Sequence, residues 1–418
     1  MLLSNPSNVS EQASEAHVLS SPREACAFPR LRVSLVTSFP PSDGDLNEYG
    51  YHLASALRDD SRIELTILAD ETHEQNEAAG FGVKRCWRFN SLANPFRLLF
   101  TIWKTNPDVV WFNIGFSTFA RKPLPAFLAI TVPALARMSG YYTHVTLHTV
   151  FERINLADAG LRFPRLYQAA GNVATRLVLG ANDVSVLLPS FRSELVRNYG
   201  SSASRVQARP HGTFESVHHQ NIPSLNSRRC DKEQIILAFG YWGTYKRVDL
   251  LLDCMEEIRG KVPEAVLVVA GTNHPSAPGY LESLEKRWRG PGVRFLGYVP
   301  EEELPALFAS ATLLVLPYSS AAGTSGVVHQ ACQYGLPMVA AEVPELIEIA
   351  REEGIAINFY PQGDGKKLAS ELIQLLSFNE LRRRLSKQNF AAAQKTPMSQ
   401  VVDEYVRWFQ ERVQTKQR

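Results

Sequence analysis

Short apolar runs alternate along the chain with amphipathic segments, and the alternation falls into two series. The first contains LRVSLVTSF (31–39), IELTILA (63–69), DVVWFN (108–113), THVTLHTV (143–150) and DVSVLLP (183–189). Near-continuous apolar runs of strand length indicate strands buried on both faces, as in a parallel sheet flanked by helices. Helical-period segments such as Glu48 to Leu57 lie between them. The second series contains QIILAFG (234–240), AVLVVAG (265–271), VRFLGYV (293–299), TLLVLPY (312–318) and PMVAA (337–341), joined by segments such as Val248 to Ile258. The polar, aperiodic HHQNIPSLNSRRCD (218–231) separates the two and reads as a linker. The pattern predicts an α/β protein of two Rossmann-like domains, 30–217 and 232–396, facing each other across a cleft. A C-terminal segment, 397–418, contains the amphipathic QVVDEYVRWFQERV (400–413) and is expected to pack back on the N-terminal domain. No internal repeat is visible.

Length agrees with two domains: 418 residues, 45% of them hydrophobic, exceed the ~250–300 at which a single core stops growing. Residues 1–29 are rich in Ser, Pro, Glu and Ala, which predicts a disordered tail and not a signal peptide. The five cysteines are scattered without a Cys-x-x-Cys pair, pointing to a reducing, cytoplasmic setting and away from zinc. With 44 basic and 42 acidic residues and no long basic run, nothing favours nucleic acid as a partner. The longest apolar stretch, LPAFLAITVPALARM (124–138), is shorter than the ~20 residues of a spanning helix. It reads either as a buried helix or, with Arg121 and Lys122 before it, as a peripheral contact through 121–138 at the inner face of a membrane.

In tandem doubly wound domains, ligands sit where the strands' C-terminal ends face the shared cleft. Two loops of the second series carry candidate chemistry there. In FGYWGTYKRVDLLL (239–252), a strand end and a glycine-containing turn present Lys246 and Arg247, which suits a phosphate; a solvated turn is the plainer alternative. In PYSSAAGTSGVVHQACQYGLPMVAA (317–341), Gly323, Thr324, Ser325 and Gly326 stand where a strand hands over to a helix predicted over 327–334. A helix N-terminus offers free amides to an anion. Capping needs one Ser or Thr, whereas four small residues in a row admit a ligand close to the backbone.

From about 31 to 390 the chain resembles the family 4 glycosyltransferases of the GT-B fold. The likeness is carried by SFPPSDGDLNEYGYHLASAL, VTLHT, RPHG, the FG.....K spacing at Lys246, and HQACQYGLPMVAAEVPELI, in that order. The resemblance implies metal-free, retaining transfer of a sugar from a nucleoside-diphosphate donor, without a cofactor, to a glycan or lipid-linked acceptor in cell-surface polysaccharide synthesis. The donor would lie on the C-terminal domain and the acceptor against the N-terminal one. It assigns the chemistry to Lys246, Arg247 and His148, and donor contacts to Gly44, Gly240, Gly323, Thr324, Ser325, Gly326, Gln330 and Glu345. The chain departs from the family at Tyr241, where an arginine is usual, and at Ala322 and Gln330, where two glutamates eight apart are frequent. Glu345 and Glu353 share that spacing but follow the next strand, which marks it as coincidence. These departures keep open a non-catalytic relative that binds a nucleotide sugar or a partner; an epimerase or a phosphorylase of similar architecture is a weaker third reading.

Overall fold

A computed structural model describes residues 30–42, 44, 46–72, 80–151, 164–214, 233–274, 277–288, 290–321 and 323–417. The expected tail (1–29), the expected linker (218–231) and Ala322 therefore lie outside the described residues.

The first sheet contains β1 (Leu31–Val36), β2 (Ile63–Asp70), β3 (Val83–Trp87), β4 (Val109–Ile114), β5 (Tyr142–Leu147), β6 (Asp183–Val186) and β7 (Val206–Ala208). All its pairs are parallel, in the order β3-β2-β1-β4-β5-β6-β7. The second contains β8 (Gln234–Phe239), β9 (Ala265–Ala270), β10 (Val293–Gly297), β11 (Leu313–Leu316), β12 (Met338–Ala341) and β13 (Ile357–Tyr360). It too is wholly parallel, in the order β10-β9-β8-β11-β12-β13.

The apolar runs predicted ten of these strands; β3, β7 and β13 were not foreseen. Each is at the edge of its sheet, where one flank stays open and a continuous apolar run is not required. β3 reads VKRCW, with two cations in five residues, and β7 is only three residues long. The stretch 124–138 also differs from a single buried helix. It forms two, Pro123–Ile130 and Val132–Met138, meeting at Thr131. Ala129, Ile130, Val132 and Ala136 are buried, while Leu124 and Met138 face outward.

Alternation within strands buries both faces of the first sheet. Val109 and Trp111 of β4 point to one side, where they meet Tyr49, Leu53, Tyr405 and Phe409; Val110, Phe112 and Ile114 point to the other core. The C-terminal helix Met398–Gln417 closes the first of these faces, its Tyr405 ring 4.4 Å from Trp111. The chain thus leaves the second domain and finishes on the first, with Met398 N–H donating to Thr213 O at 2.9 Å.

Candidate functional site

The order of the second sheet reverses between β8 and β11, which sets the loops after those strands side by side. Such a reversal opens a crevice at the strands' C-terminal ends. The loops are 240–247 and 317–325, the two that carried candidate chemistry.

Lys246 ends a single 3-10 turn, Thr244–Lys246. Its Nζ lies 5.6 Å from the centroid of the Trp242 ring and 5.1 Å from that of Tyr318. A β-carbon on Gly240 would stand 2.8 Å from Lys246 Nζ and 3.8 Å from Val327 Cγ2, and Gly240 adopts φ +136°. The ammonium and the first turn of the helix Gly326–Gln333 therefore converge on one point of backbone, a point only glycine leaves open. Lys246 has no carboxylate partner among the described residues. Although the residue keeps some exposure, burial of the amine draws its pKa down to about 8. Aromatic faces compensate a cation only in part, so an incoming anion has much to gain here.

Arg247 behaves differently. It adopts φ +48° ahead of the helix Val248–Lys261 and grips Asp249, Nε to Oδ1 at 3.1 Å and Nη2 to Oδ2 at 3.0 Å. This hydrogen bond raises its pKa and engages Nε and Nη2. Tyr241 stands half-exposed where the family resemblance expects an arginine.

Ser325 occupies the N-cap position of the helix Gly326–Gln333 but makes no side-chain cap bond. The amides of Gly326 and Val327 find no acceptor among the described residues, and Thr324 Oγ1 is buried without a partner. An unsatisfied buried hydroxyl such as that of Thr324 costs about 1–3 kcal/mol, whereas the half-buried amides of Gly326 and Val327 stay open to an acceptor. Gly323 is explained otherwise. Its β-carbon would lie 2.7 Å from the carbonyl oxygen of His148, and it pairs with Thr149 in an isolated antiparallel bridge. Its smallness admits the backbone of the other domain.

His148 follows β5 and is held by a directed chain of hydrogen bonds. Thr37 Oγ1 donates to Ser38 O at 3.0 Å and accepts from Asn113 Nδ2 at 3.0 Å. Asn113 Oδ1 is therefore the acceptor facing His148 Nε2 at 2.6 Å. That assigns the proton to Nε2 and leaves Nδ1 as an acceptor. Burial lowers the pKa of His148 to about 3, so the ring stays neutral.

His329 faces the opposite demand. Nδ1 meets Ser325 O at 3.2 Å and Nε2 meets the Glu353 carboxylate at 3.0 Å, two acceptors that both require a proton. The buried ring opposes this by desolvation, but the carboxylate wins and raises its pKa. An imidazolium thus stands in the first turn of the donor-side helix, its ring stacked 4.3 Å from His211 of the first domain. Glu353, set aside in the sequence as a coincidence of spacing, is the counter-ion. The histidines of RPHG and HQACQ were quoted for their order in the chain; only their juxtaposition reveals this contact.

The remaining expected residues scatter around the cleft. Gly44 N–H donates to Ser42 Oγ at 2.9 Å, in a loop tied down by Asp70, which bonds Ser42 Oγ and the Phe39 amide. Gln330 is half-buried on the helix, with no hydrogen bond among the described residues. Glu345 is buried in the first turn of the helix Pro344–Glu353.

Residues 233–377, within the second domain, match the family model described as Glycosyl transferases group 1. Among curated proteins, the chain is 31% identical over 160 residues to a sulfoquinovosyl transferase of Arabidopsis thaliana, covering 37% of this chain and 29% of the relative. It is 24% identical over 230 residues to an O-antigen chain mannosyltransferase of Escherichia coli, covering 53% and 57%. The chain thus spans about a third to just over half the length of these relatives. Among solved structures, sucrose-phosphate synthase from Thermosynechococcus elongatus superposes with TM-score 0.70 at 16% identity, over 91% of this chain and 99% of the other. The Anabaena protein HepE in complex with UDP-glucose superposes with TM-score 0.66 at 16% identity, over 92% and 100%. The two parallel-sheet domains are those of a GT-B fold.

Proposed function

We propose that the protein is a retaining glycosyltransferase that takes a sugar from a nucleoside-diphosphate donor in the interdomain cleft. The observation that carries this reading is the Lys246 ammonium, desolvated between two rings without a carboxylate, beside the unfilled amides of Gly326 and Val327. When the bond from the anomeric carbon to the β-phosphate oxygen breaks, negative charge grows on the diphosphate. Fixed cations and amide dipoles aimed at that charge lower the barrier without a metal. His329, neutralised by Glu353, holds the Ser325 carbonyl and so fixes the start of the same helix, and neutral His148 offers Nδ1 to a sugar hydroxyl. Gly44, Gly240, Thr324, Ser325 and Glu345 complete the donor contacts in this reading, with Gly323 and Arg247 in supporting positions. The acceptor is a glycan or lipid-linked sugar of cell-surface polysaccharide synthesis, used at the cytoplasmic side of a membrane that residues 121–138 touch peripherally.

A screen of the purified protein against UDP-, GDP- and ADP-sugars tests this, reading thermal shift and donor hydrolysis together. A shift with hydrolysis of one donor is expected. A shift without turnover on any acceptor supports the non-catalytic alternative, which the pairing of Arg247 with Asp249 favours by removing the second cation. No shift with any nucleotide sugar sinks the transfer and leaves only a partner-binding relative.

Gln330, on the same helix face as the amides, is proposed to hold the nucleoside. Gln330→Ala is expected to raise the donor KM several-fold with a smaller change in kcat, the pattern of lost uniform binding. Unchanged donor binding would remove Gln330 from the site.

A further inference from the structure

The helix Asn94–Thr105 buries one side and leaves an unusual other. Leu98 and Ile102 are fully buried against the N-terminal domain. The opposite side presents Phe96, Phe100 and Trp103, spaced i, i+4 and i+7, at 79%, 54% and 66% exposure. A single exposed aromatic needs no explanation, but a helical stripe of three does. The stripe continues through Leu92 and Phe89 in the loop before the helix. That loop is tied to residues 121–122, because Asn90 Oδ1 accepts from the amides of Arg121 and Lys122 at 2.9 and 3.1 Å. Exposed Leu124 thereby joins the same surface.

Charge singles out the same region. Between residues 78 and 151 the chain has one acidic residue, Asp108, against eight basic ones, although the whole sequence is nearly balanced. Asp108 is taken by Arg32 beside the start of β4, at the far end of the sheet. Around the stripe, Lys104 Nζ lies 4.5 Å from the centroid of Phe100, and Arg121 lies 5.8 Å from that of Phe89. Lys104, Arg121 and Lys122 have no carboxylate partner among the described residues; Arg88 and Arg97 share Glu71.

We propose that this face docks on an anionic phospholipid bilayer, with Phe96, Phe100 and Trp103 at the boundary of headgroups and acyl chains and the cations toward the phosphates. Aromatic anchors within a basic rim match such a surface in both polarity and sign. A second copy packed face to face would bring the unpaired cations of both together, which disfavours self-association. The loop 88–93 leaves the C-terminal end of β3, the end of the sheet from which the cleft loops also emerge, so docking turns the acceptor side toward lipid. The surface takes in the start of the 121–138 contact and rests on that part of the proposed function, but it contains none of the donor residues. A failure to bind vesicles therefore leaves the proposed transfer standing, while lost donor hydrolysis leaves the docking face standing.

Full-length protein is sedimented with vesicles of phosphatidylcholine containing about one third phosphatidylglycerol, and with pure phosphatidylcholine. Binding to the anionic vesicles alone is expected, with a blue shift of tryptophan emission and loss of binding in about 0.5 M salt. Phe96→Ser, Phe100→Ser and Trp103→Ser together are expected to abolish binding while circular dichroism and donor hydrolysis stay unchanged. Lys104→Glu with Arg121→Glu is expected to weaken binding by about 10-fold or more. No sedimentation at low salt overturns the proposal, as does binding that survives the aromatic substitutions. A concentration-dependent dimer removed by those substitutions also overturns it and assigns the face to a second copy.

Discussion

Replacing Lys246 by alanine is expected to weaken donor binding and turnover by about 2–4 kcal/mol, roughly 30- to 1,000-fold, the range for losing a charge-assisted contact in a desolvated site. Folding is expected to survive. The Lys246 side chain holds no ion pair among the described residues, and the turn is secured by backbone bonds, Lys246 N–H to Gly243 O at 2.9 Å and Ser319 N–H to Tyr245 O at 2.7 Å. Lys246→Met, which keeps the stem over Trp242 and Tyr318, separates lost charge from lost packing. The pH dependence follows from the lowered pKa. The ammonium that binds diphosphate is present below about 8 in the free protein, so donor affinity is expected to fall as pH rises through that value. Calorimetric titration of donor, with kcat/KM on the same samples, measures both effects. A folded Lys246→Ala protein with native turnover would remove Lys246 from the site.

The second large effect is acid lability. Burial lowers the pKa of His52 to about 4 and of His148 to about 3, and holds His144 and His211 well below the usual histidine value. Each stays neutral in the folded protein and takes up a proton on unfolding below about pH 6.5, so stability falls as pH drops. Each site contributes up to about 1.4 kcal/mol per pH unit. His329 does not offset this, because a raised pKa makes its contribution complete below about 6.5 and loses it only at higher pH. Glu48 does oppose it: its pKa, raised to about 7, relieves a buried charge as pH falls toward the ordinary glutamate value. Glu301 and Asp70, whose pKa values burial also raises, oppose it as well. The four histidines still outnumber these three carboxylates, so a net loss on the order of 1–3 kcal/mol is expected between about pH 6.5 and 4.5, against a typical total stability of 5–15 kcal/mol.

His144 allows a direct check. Both its ring nitrogens are buried without partners, and its ring lies 5.4 Å from Tyr405 and 5.2 Å from Phe409. His144→Phe is expected to raise the melting temperature at pH 7 and to flatten its fall toward pH 4.5, since an unsatisfied polar ring gives way to an apolar one of similar shape. Thermal melts from pH 4 to 8 on both proteins decide it. A variant that melts lower, or with an unchanged pH slope, would show that His144 is not the uncompensated group its surroundings imply.

The two-domain α/β architecture was legible in the amino-acid order because a parallel strand buried on both faces must be apolar along its whole length. Where that condition held, the strand was found: within a residue in VVWFNI and AVLVVA, and ending three residues before the apolar run did in β1, β5 and β6. At a sheet edge the condition relaxes, and the signal was lost at β3, β7 and β13 although the edge strand β10 kept it. Position along the chain also placed Lys246 and the Gly-Thr-Ser-Gly loop at strand ends, and the reversal of strand order brought them together. Three features depended on tertiary contacts. Gly323 is small because the His148 carbonyl of the other domain passes over it, Arg247 is withdrawn by Asp249, and Glu353 reaches back to charge His329 across another element. Residue type and spacing record what each segment needs locally, whereas these roles arise between segments far apart in sequence, so only the folded chain decides them.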